Sequence, residues 1–199
     1  MGEEWRFSEA IRRFDEENGR DPNLIDVEGV AQPHELIYAR RLTEWVLRLQ
    51  LGASKPLLLA ARSQHICRWL VPRSSYDMTR AGYLRWRNDL KQLHARKSAE
   101  ILREVGYDET TIARVVELNL KKRLGRDQEC QVLEDALCLV TLQYQLADLM
   151  RKTDPDKMVA ILQKTWKKMS DVARTEALAL PFTEAESALI HKALARGSQ

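Results

Sequence analysis

Apolar residues return every three or four positions along almost the whole of this chain, and no segment alternates with period two for more than a few residues. One pattern cannot serve both a 3.6-residue and a 2-residue period, so a chain spaced this way builds its core from helix faces. The expectation is an all-α bundle of seven to nine helices. At 199 residues the chain is long enough for one domain with a sizeable core.

The residues between these stretches mark their ends. Phe7, Ile11 and Phe14 share one face of a first helix, which Gly19 and Pro22 close. Residues 19–32 read as irregular, with Gly, Asp, Pro and Asn. Pro33 suits a first helical turn, where its missing N–H would be unpaired anyway. The helix it opens carries Leu42, Trp45, Val46 and Leu49 and runs to about Gln50. Ser54 and Pro56 start a third helix that Pro72 stops, and residues 72–78 connect it to a long helix from Thr79 to Gly106. Asp108–Thr111 starts the next, with Gly125 near its close. Asp127 caps the most apolar stretch, Val132 to Met150, expected at the centre of the fold. Asp154-Pro155 opens a further helix, and Thr183-Glu184-Ala185-Glu186 has capping-box spacing for a last one to about Arg196.

No apolar run approaches the ~20 residues of a membrane span. The N-terminus lacks the basic-then-apolar start of a secretory signal. The three cysteines, Cys67, Cys130 and Cys138, are unclustered and odd in number. A cytoplasmic chain with reduced thiols and no membrane partner is expected.

Charge singles out one segment. The whole chain carries a net charge of only +3, yet residues 59–97 hold nine Arg and Lys against two Asp. Such a segment suits an anionic partner. Arg62, Arg68, Arg73, Arg80 and Lys121, with Gln64 and Tyr76, are the candidate substrate contacts, because a guanidinium fork binds phosphate bidentately and stacks on rings. PRSSYDMTRAGYLRWR interleaves Arg with Tyr76, Tyr83 and Trp86, which also admits a stacking platform for nucleic acid. The Tyr83, Leu84 and Trp86 group equally admits a homo-oligomer surface. There is no Gly-rich phosphate loop, no dinucleotide fingerprint and no nucleophilic-serine elbow.

Titratable residues add a second constellation: His34, Glu35, His65, His94, Glu134 and Asp135. Glu134 and Asp135 are adjacent in the apolar stretch, where successive side chains point about 100° apart, so one leans inward. A buried carboxylate needs a cation, hydrogen bonds or a metal. His34, His65, His94 and Asp135 fall on four helices, and a bundle can aim such side chains at one point. Imidazole with carboxylate suits a divalent transition metal ion, which polarises a phosphate or activates a water. Against this stand plainer roles: a core histidine satisfied by its neighbours, a buried Asp paired with Arg or Trp, and arginines on solvated faces. His191 reads as surface.

ELIYARRLTEWV (35–46), LAARSQHICRWLVPRSSYDMTRAGYLRWRNDLKQLHA (59–95), VVELNLKKRLGRDQECQVLEDALCLV (115–140) and ILQKTWKKMSDVARTEALALPF (161–182) resemble the family known as domain of unknown function 4202. A more distant resemblance is to the HD-domain metal-dependent phosphohydrolases. That family holds metal through a His on a first core helix, a His-Asp doublet on the next and a later Asp. HELIYA resembles the first motif, with His34 as ligand. HARKSAEILREVGYDETTIARVV resembles the following helix pair, with His94 where some members bind a second metal. EDALCL resembles the last motif, with Asp135 as terminal ligand. The doublet is altered: Gln64-His65 or His65-Ile66 stands in its place, and Asn119-Leu120 stands where some members have a second histidine pair.

The resemblance implies a single HD-like domain over residues 1–199, with its core at about 30–150 and a helical extension at about 154–196. It implies a metal-dependent phosphohydrolase acting on a nucleotide or other phosphorylated small molecule. His34, His65 and Asp135 would hold a divalent metal ion, and His65, His94 and Glu134 would act in catalysis. The alternative is a non-catalytic HD-like binder of a nucleotide, RNA or phosphorylated ligand. A third reading is a structural helical protein whose arginines are surface.

Overall fold

Side-chain caps start most helices where the sequence places them. The computed structural model describes residues 2–195. Among these run α1 (Glu3–Asn18), α2 (His34–Leu49), α3 (Lys55–Ser63), α4 (Arg80–Val105), α5 (Glu109–Leu120), α6 (Gln128–Tyr144), α7 (Leu146–Lys152), α8 (Pro155–Lys168), α9 (Asp171–Leu178) and α10 (Glu184–Ala195). The chain is therefore mostly helical, as its period requires. Ser54, Thr79, Asp108 and Asp154 each accept a hydrogen bond from a first-turn N–H that the helix itself leaves unpaired. Asp127 Oδ1 accepts from Cys130 N at 2.9 Å. Thr183 and Glu186 close the capping box from both sides.

The irregular stretch between α1 and α2 is in fact a hairpin. Strands β1 (Leu24–Val27) and β2 (Val30–Pro33) pair antiparallel, Leu24 opposite Pro33 and Val27 opposite Val30. Glu28 (φ 55°) and Gly29 (φ 81°) are both left-handed, the pattern of a tight I′ turn. The strands are four residues long and half exposed, so no buried face imposes an alternation readable in the sequence.

Other ends move too. Helix α3 stops at Ser63, well short of Pro72, and the chain turns through a left-handed Cys67 (φ 58°) into two 3-10 turns, Arg68–Leu70 and Arg73–Ser75. Helix α5 closes at Leu120, before Gly125, because Lys121 adopts φ 54°, and its N–H and that of Lys122 cap the carbonyls of Leu118 and Glu117. The long apolar helix divides at Gln145 into α6 and α7. Helix α9, capped by Ser170, was not anticipated.

The chain forms two compact units, Met1–Cys130 and Gln131–Gln199, the division falling near the start of α6. In the first, α3 packs against α1, α2 and α5, and α4 packs against α1 and α5. Phe14, Leu42, Leu57, Leu59, Ile66, Leu102, Ile112 and Leu118 fill its core. In the second, α8 packs against α7 and α10, with Leu133, Leu139, Leu146 and Met158 fully buried. The loop before α4 presses onto the helix so closely that a Cβ on Gly82 would lie 2.2 Å from the Asp77 carbonyl oxygen. Among the described residues no helix is long and apolar enough to cross a membrane.

Candidate functional site

Two imidazoles of the first unit meet one buried carboxylate. Helix α2 begins at His34, so Glu35 lies in its first turn, where the helix dipole favours an anion. Asp21 fastens this corner. Its Oδ2 accepts from Glu35 N at 3.0 Å, and its Oδ1 accepts from Asn23 N at 2.9 Å and Asn23 Nδ2 at 2.7 Å. The Glu35 side chain is buried, with His34 Nδ1 at 3.3 Å, His65 Nδ1 at 3.3 Å and Arg68 Nε at 3.6 Å. His65 and Arg68 arrive from the turn after α3, beside the left-handed Cys67.

The rings form a row from His34 through Tyr38 and His65 to His94. Tyr38 stacks on His65 with centroids 4.3 Å apart; His34–Tyr38 is 6.3 Å and His65–His94 is 5.7 Å. His94, on α4, is buried and has Nδ1 2.7 Å from the Ile66 carbonyl oxygen. A carbonyl only accepts, so Nδ1 carries the proton, and Nε2 is a lone-pair acceptor. That Nε2 is buried without a protein partner. Gln64 Oε1 and Asn119 Oδ1 are buried orphans as well. Asn119 Nδ2 donates to Ser98 Oγ at 3.0 Å and Ser63 Oγ at 3.2 Å.

Burial and pairing set the charges. Burial pushes the Glu35 carboxyl up, but the His34 and His65 imidazoles beside it outweigh this and hold it well below the usual carboxylate range. The Glu35 carboxylate beside it raises the His34 imidazole above its ordinary value. Burial pushes His65 down to about 4 despite Glu35, with Arg68 and Lys121 repelling its proton. Burial, then His65, push His94 down to about 3. At neutral pH the site thus holds an anionic Glu35 and two neutral imidazoles.

A cleft of about 360 Å³ opens beside Glu35, lined by Pro22, Asn23, Arg68, Trp69, Val71, Pro72, Arg73 and Trp86. The Arg68 guanidinium lies 5.0 Å from the Trp86 ring centroid, and Trp86 Nε1 donates to the Val71 carbonyl at 2.9 Å. Arg73 also reaches the cleft, but its guanidinium donates to the carbonyls of Tyr76, Asp77 and Thr79 at 2.9, 2.7 and 3.4 Å. Tyr76 donates its hydroxyl to Asp89 at 2.8 Å. Arg80 is exposed at the start of α4. Arg62 is mostly buried, its Nε 3.5 Å from Asp15 Oδ1. Lys121 lies close enough to His65 to depress its pKa.

The acidic pair of α6 belongs to the second unit. Asp135 Oδ1 accepts from Ser170 N and Gln131 Nε2, both at 2.9 Å, and its Oδ2 accepts from Ser170 Oγ at 2.6 Å. Ser170 is the cap of α9, so Asp135 holds that helix start in place. Glu134 has Lys168 Nζ at 3.3 Å.

Among the described residues, Asp21, His34 and Glu35 bring three possible metal-ligating atoms within 4.8 Å of one another. Two carboxylates and an imidazole fit a divalent ion, and each Asp21 oxygen keeps capacity beyond its hydrogen bonds. Of the ligands expected from sequence this group contains His34. Asp21 was missed, because a cap contacting a residue fourteen positions on leaves no local pattern. Tyr38 was also missed, though its i,i+4 spacing from His34 placed both rings on one helix face.

A family model described as Domain of unknown function (DUF4202) matches residues 8–190. No curated protein and no solved structure matches the chain.

Proposed function

The chain belongs to this family, a domain of unknown function, and from that premise we propose on the site alone that it is a phosphohydrolase acting on a nucleotide or other phosphorylated small molecule. The observation that supports this best is Glu35: a buried carboxylate with two imidazoles at 3.3 Å, beside a cleft that also holds a guanidinium. Glu35 favours the His65 tautomer with its proton on Nδ1, the ring nitrogen 3.3 Å from Oε2. The other ring nitrogen, unprotonated at neutral pH, is then free to take a proton from an attacking water. Arg68 receives the phosphate. Asp21, His34 and Glu35 would hold a divalent metal ion, whose chemistry is to polarise the phosphoryl oxygens. In this reading the first unit is an altered HD-like scaffold, with Gln64-His65 in place of the doublet, working in the cytoplasm.

The test is turnover of p-nitrophenyl phosphate and bis-p-nitrophenyl phosphate with Mg²⁺, Mn²⁺, Co²⁺ or Zn²⁺ added in turn. Glu35→Gln should lower turnover by about 100-fold or more with the fold retained. No turnover of either ester with any of these ions would end the hydrolase reading.

A second reading is a non-catalytic binder of a nucleotide, RNA or phosphorylated ligand. It is favoured by Asp21, whose carboxylate already serves three N–H donors, and by the positive end of α2, which disfavours a bound cation. It expects salt-sensitive binding of phosphate ligands without turnover.

A further inference from the structure

The cleft beside Glu35 has two chemically distinct walls, and together they select a ligand. One is Arg68. Its Nε faces Glu35 at 3.6 Å and its guanidinium carbon lies over the Trp86 ring, 5.0 Å from the centroid, while among the described residues Nη1 and Nη2 donate to no protein acceptor. Of the arginines expected to bind substrate, Arg73 is taken up by three carbonyls, Arg62 is mostly buried beside Asp15, and Arg80 is exposed on α4. Arg68 alone among these four is both held in orientation and open at its fork. A guanidinium fixed by stacking loses less freedom on binding an oxyanion than a loose one does.

The other wall is Trp69. It lines the cleft and is only partly buried. Among the described residues it makes no ring contact and its indole N–H no hydrogen bond, unlike Trp86, which is pinned by Val71 and covered by Arg68. Pro22, Val71 and Pro72 add apolar surface around it. An unstacked indole with apolar neighbours on one side of a cleft of mixed polarity suits a planar ring, which gains offset stacking beyond simple burial. The volume of about 360 Å³ lies at the small end of ligand pockets, room for one ring and one phosphate group rather than a polymer.

We propose that this cleft binds a small phosphate monoester whose esterifying group carries a planar ring, with the phosphate on the Arg68 fork and the ring against Trp69. This rests on the phosphate-ester reading above and narrows it to one substrate class.

The experiment titrates the full chain with phenyl phosphate, cyclohexyl phosphate and inorganic phosphate, read by calorimetry and by tryptophan fluorescence. Phenyl phosphate should bind about tenfold tighter than cyclohexyl phosphate, because only the flat ring stacks. Arg68→Lys should weaken all three ligands about tenfold by removing the fork. Trp69→Leu should abolish the preference for phenyl over cyclohexyl while leaving inorganic phosphate binding unchanged, and Trp69→Phe should restore most of it. Equal affinity for the two esters in the wild-type chain overturns the proposal whatever the variants do. So does a preference that survives Trp69→Leu. Ring preference with no turnover would sink the hydrolase reading and leave this one standing. Binding of none of the three ligands would sink this one, and p-nitrophenyl phosphate turnover would then judge the hydrolase reading separately.

Discussion

Two buried carboxylates, Glu35 and Asp135, show opposite ways of housing a negative charge. Asp135 is met by three donors at 2.6–2.9 Å, two from the backbone and hydroxyl of Ser170 and one from Gln131. These are fixed neutral groups, and what they secure is the start of α9. Glu35 is met by two imidazoles at 3.3 Å and a guanidinium at 3.6 Å, all side chains, with Oε2 making no formal hydrogen bond. Its two imidazole partners titrate, and it lines a cleft. A carboxylate saturated by short bonds is an anchor, whereas one loosely held by titratable groups keeps capacity for a ligand or a proton.

The sharpest way to break that contrast is Asp135→Ala. Removing the acceptor strands the part-buried Ser170 N–H and hydroxyl, so unfolding stability should fall by about 1–3 kcal/mol, measured by urea denaturation. Asp135→Asn should recover part of this, since its oxygen still accepts from Ser170. If Asp135→Ala instead melts normally but loses metal or phosphate binding, the anchor interpretation fails and the terminal-ligand role expected from EDALCL is restored.

Acid titration tests the other side. His65 and His94 have folded pKa values near 4 and near 3, below the ordinary ~6.5. Between these values and ~6.5 the unfolded chain binds protons that the folded chain does not. Their contribution is therefore full above pH ~6.5 and declines as pH falls toward 4 and then 3. Each histidine should add a slope of at most roughly 1.4 kcal/mol per pH unit in that window. Glu35, with its pKa lowered, adds a loss at still lower pH, while the raised His34 favours the folded state below ~6.5. Denaturation midpoints from pH 7 to 4 should fall in the wild type and fall less steeply in His94→Leu. An unchanged slope in that variant would mean His94 is protonated in the folded chain.

How far the sequence foretold these outcomes depended on how local the cause was. Caps at Ser54, Thr79, Asp108, Asp127, Asp154 and Thr183 were readable because cap and helix are a few residues apart, and the helical period named the fold class. The hairpin escaped because its short strands bury no continuous face. The end of α5 escaped because Lys121, not the nearby glycine, takes the left-handed turn. At the site, residue types were legible and partners were not. His34 and His65 do meet at Glu35, with the His94 ring beyond His65, but Asp21 and Tyr38 join them through packing across the hairpin and along α2. Spacing could not tell that Arg68 is open while Arg73 is spent on carbonyls.

That last distinction gives the smallest effect and a clean comparison. Arg73→Ala removes three bonds to the backbone of residues 76–79, so stability should drop by about 1 kcal/mol and amide exchange there should quicken. The segment also presses on Gly82, so loosening should extend into the first turn of α4. Arg80→Ala removes an exposed side chain and should stay within about 0.5 kcal/mol. Inorganic phosphate affinity should change little in Arg80→Ala and less in Arg73→Ala than in Arg68→Lys. If Arg73→Ala keeps its exchange pattern but loses phosphate as completely as Arg68→Lys does, Arg73 leaves its carbonyls to grip the ligand. The cleft would then hold two forks instead of one, a clamp for a doubly charged phosphate that closes only when the anion arrives.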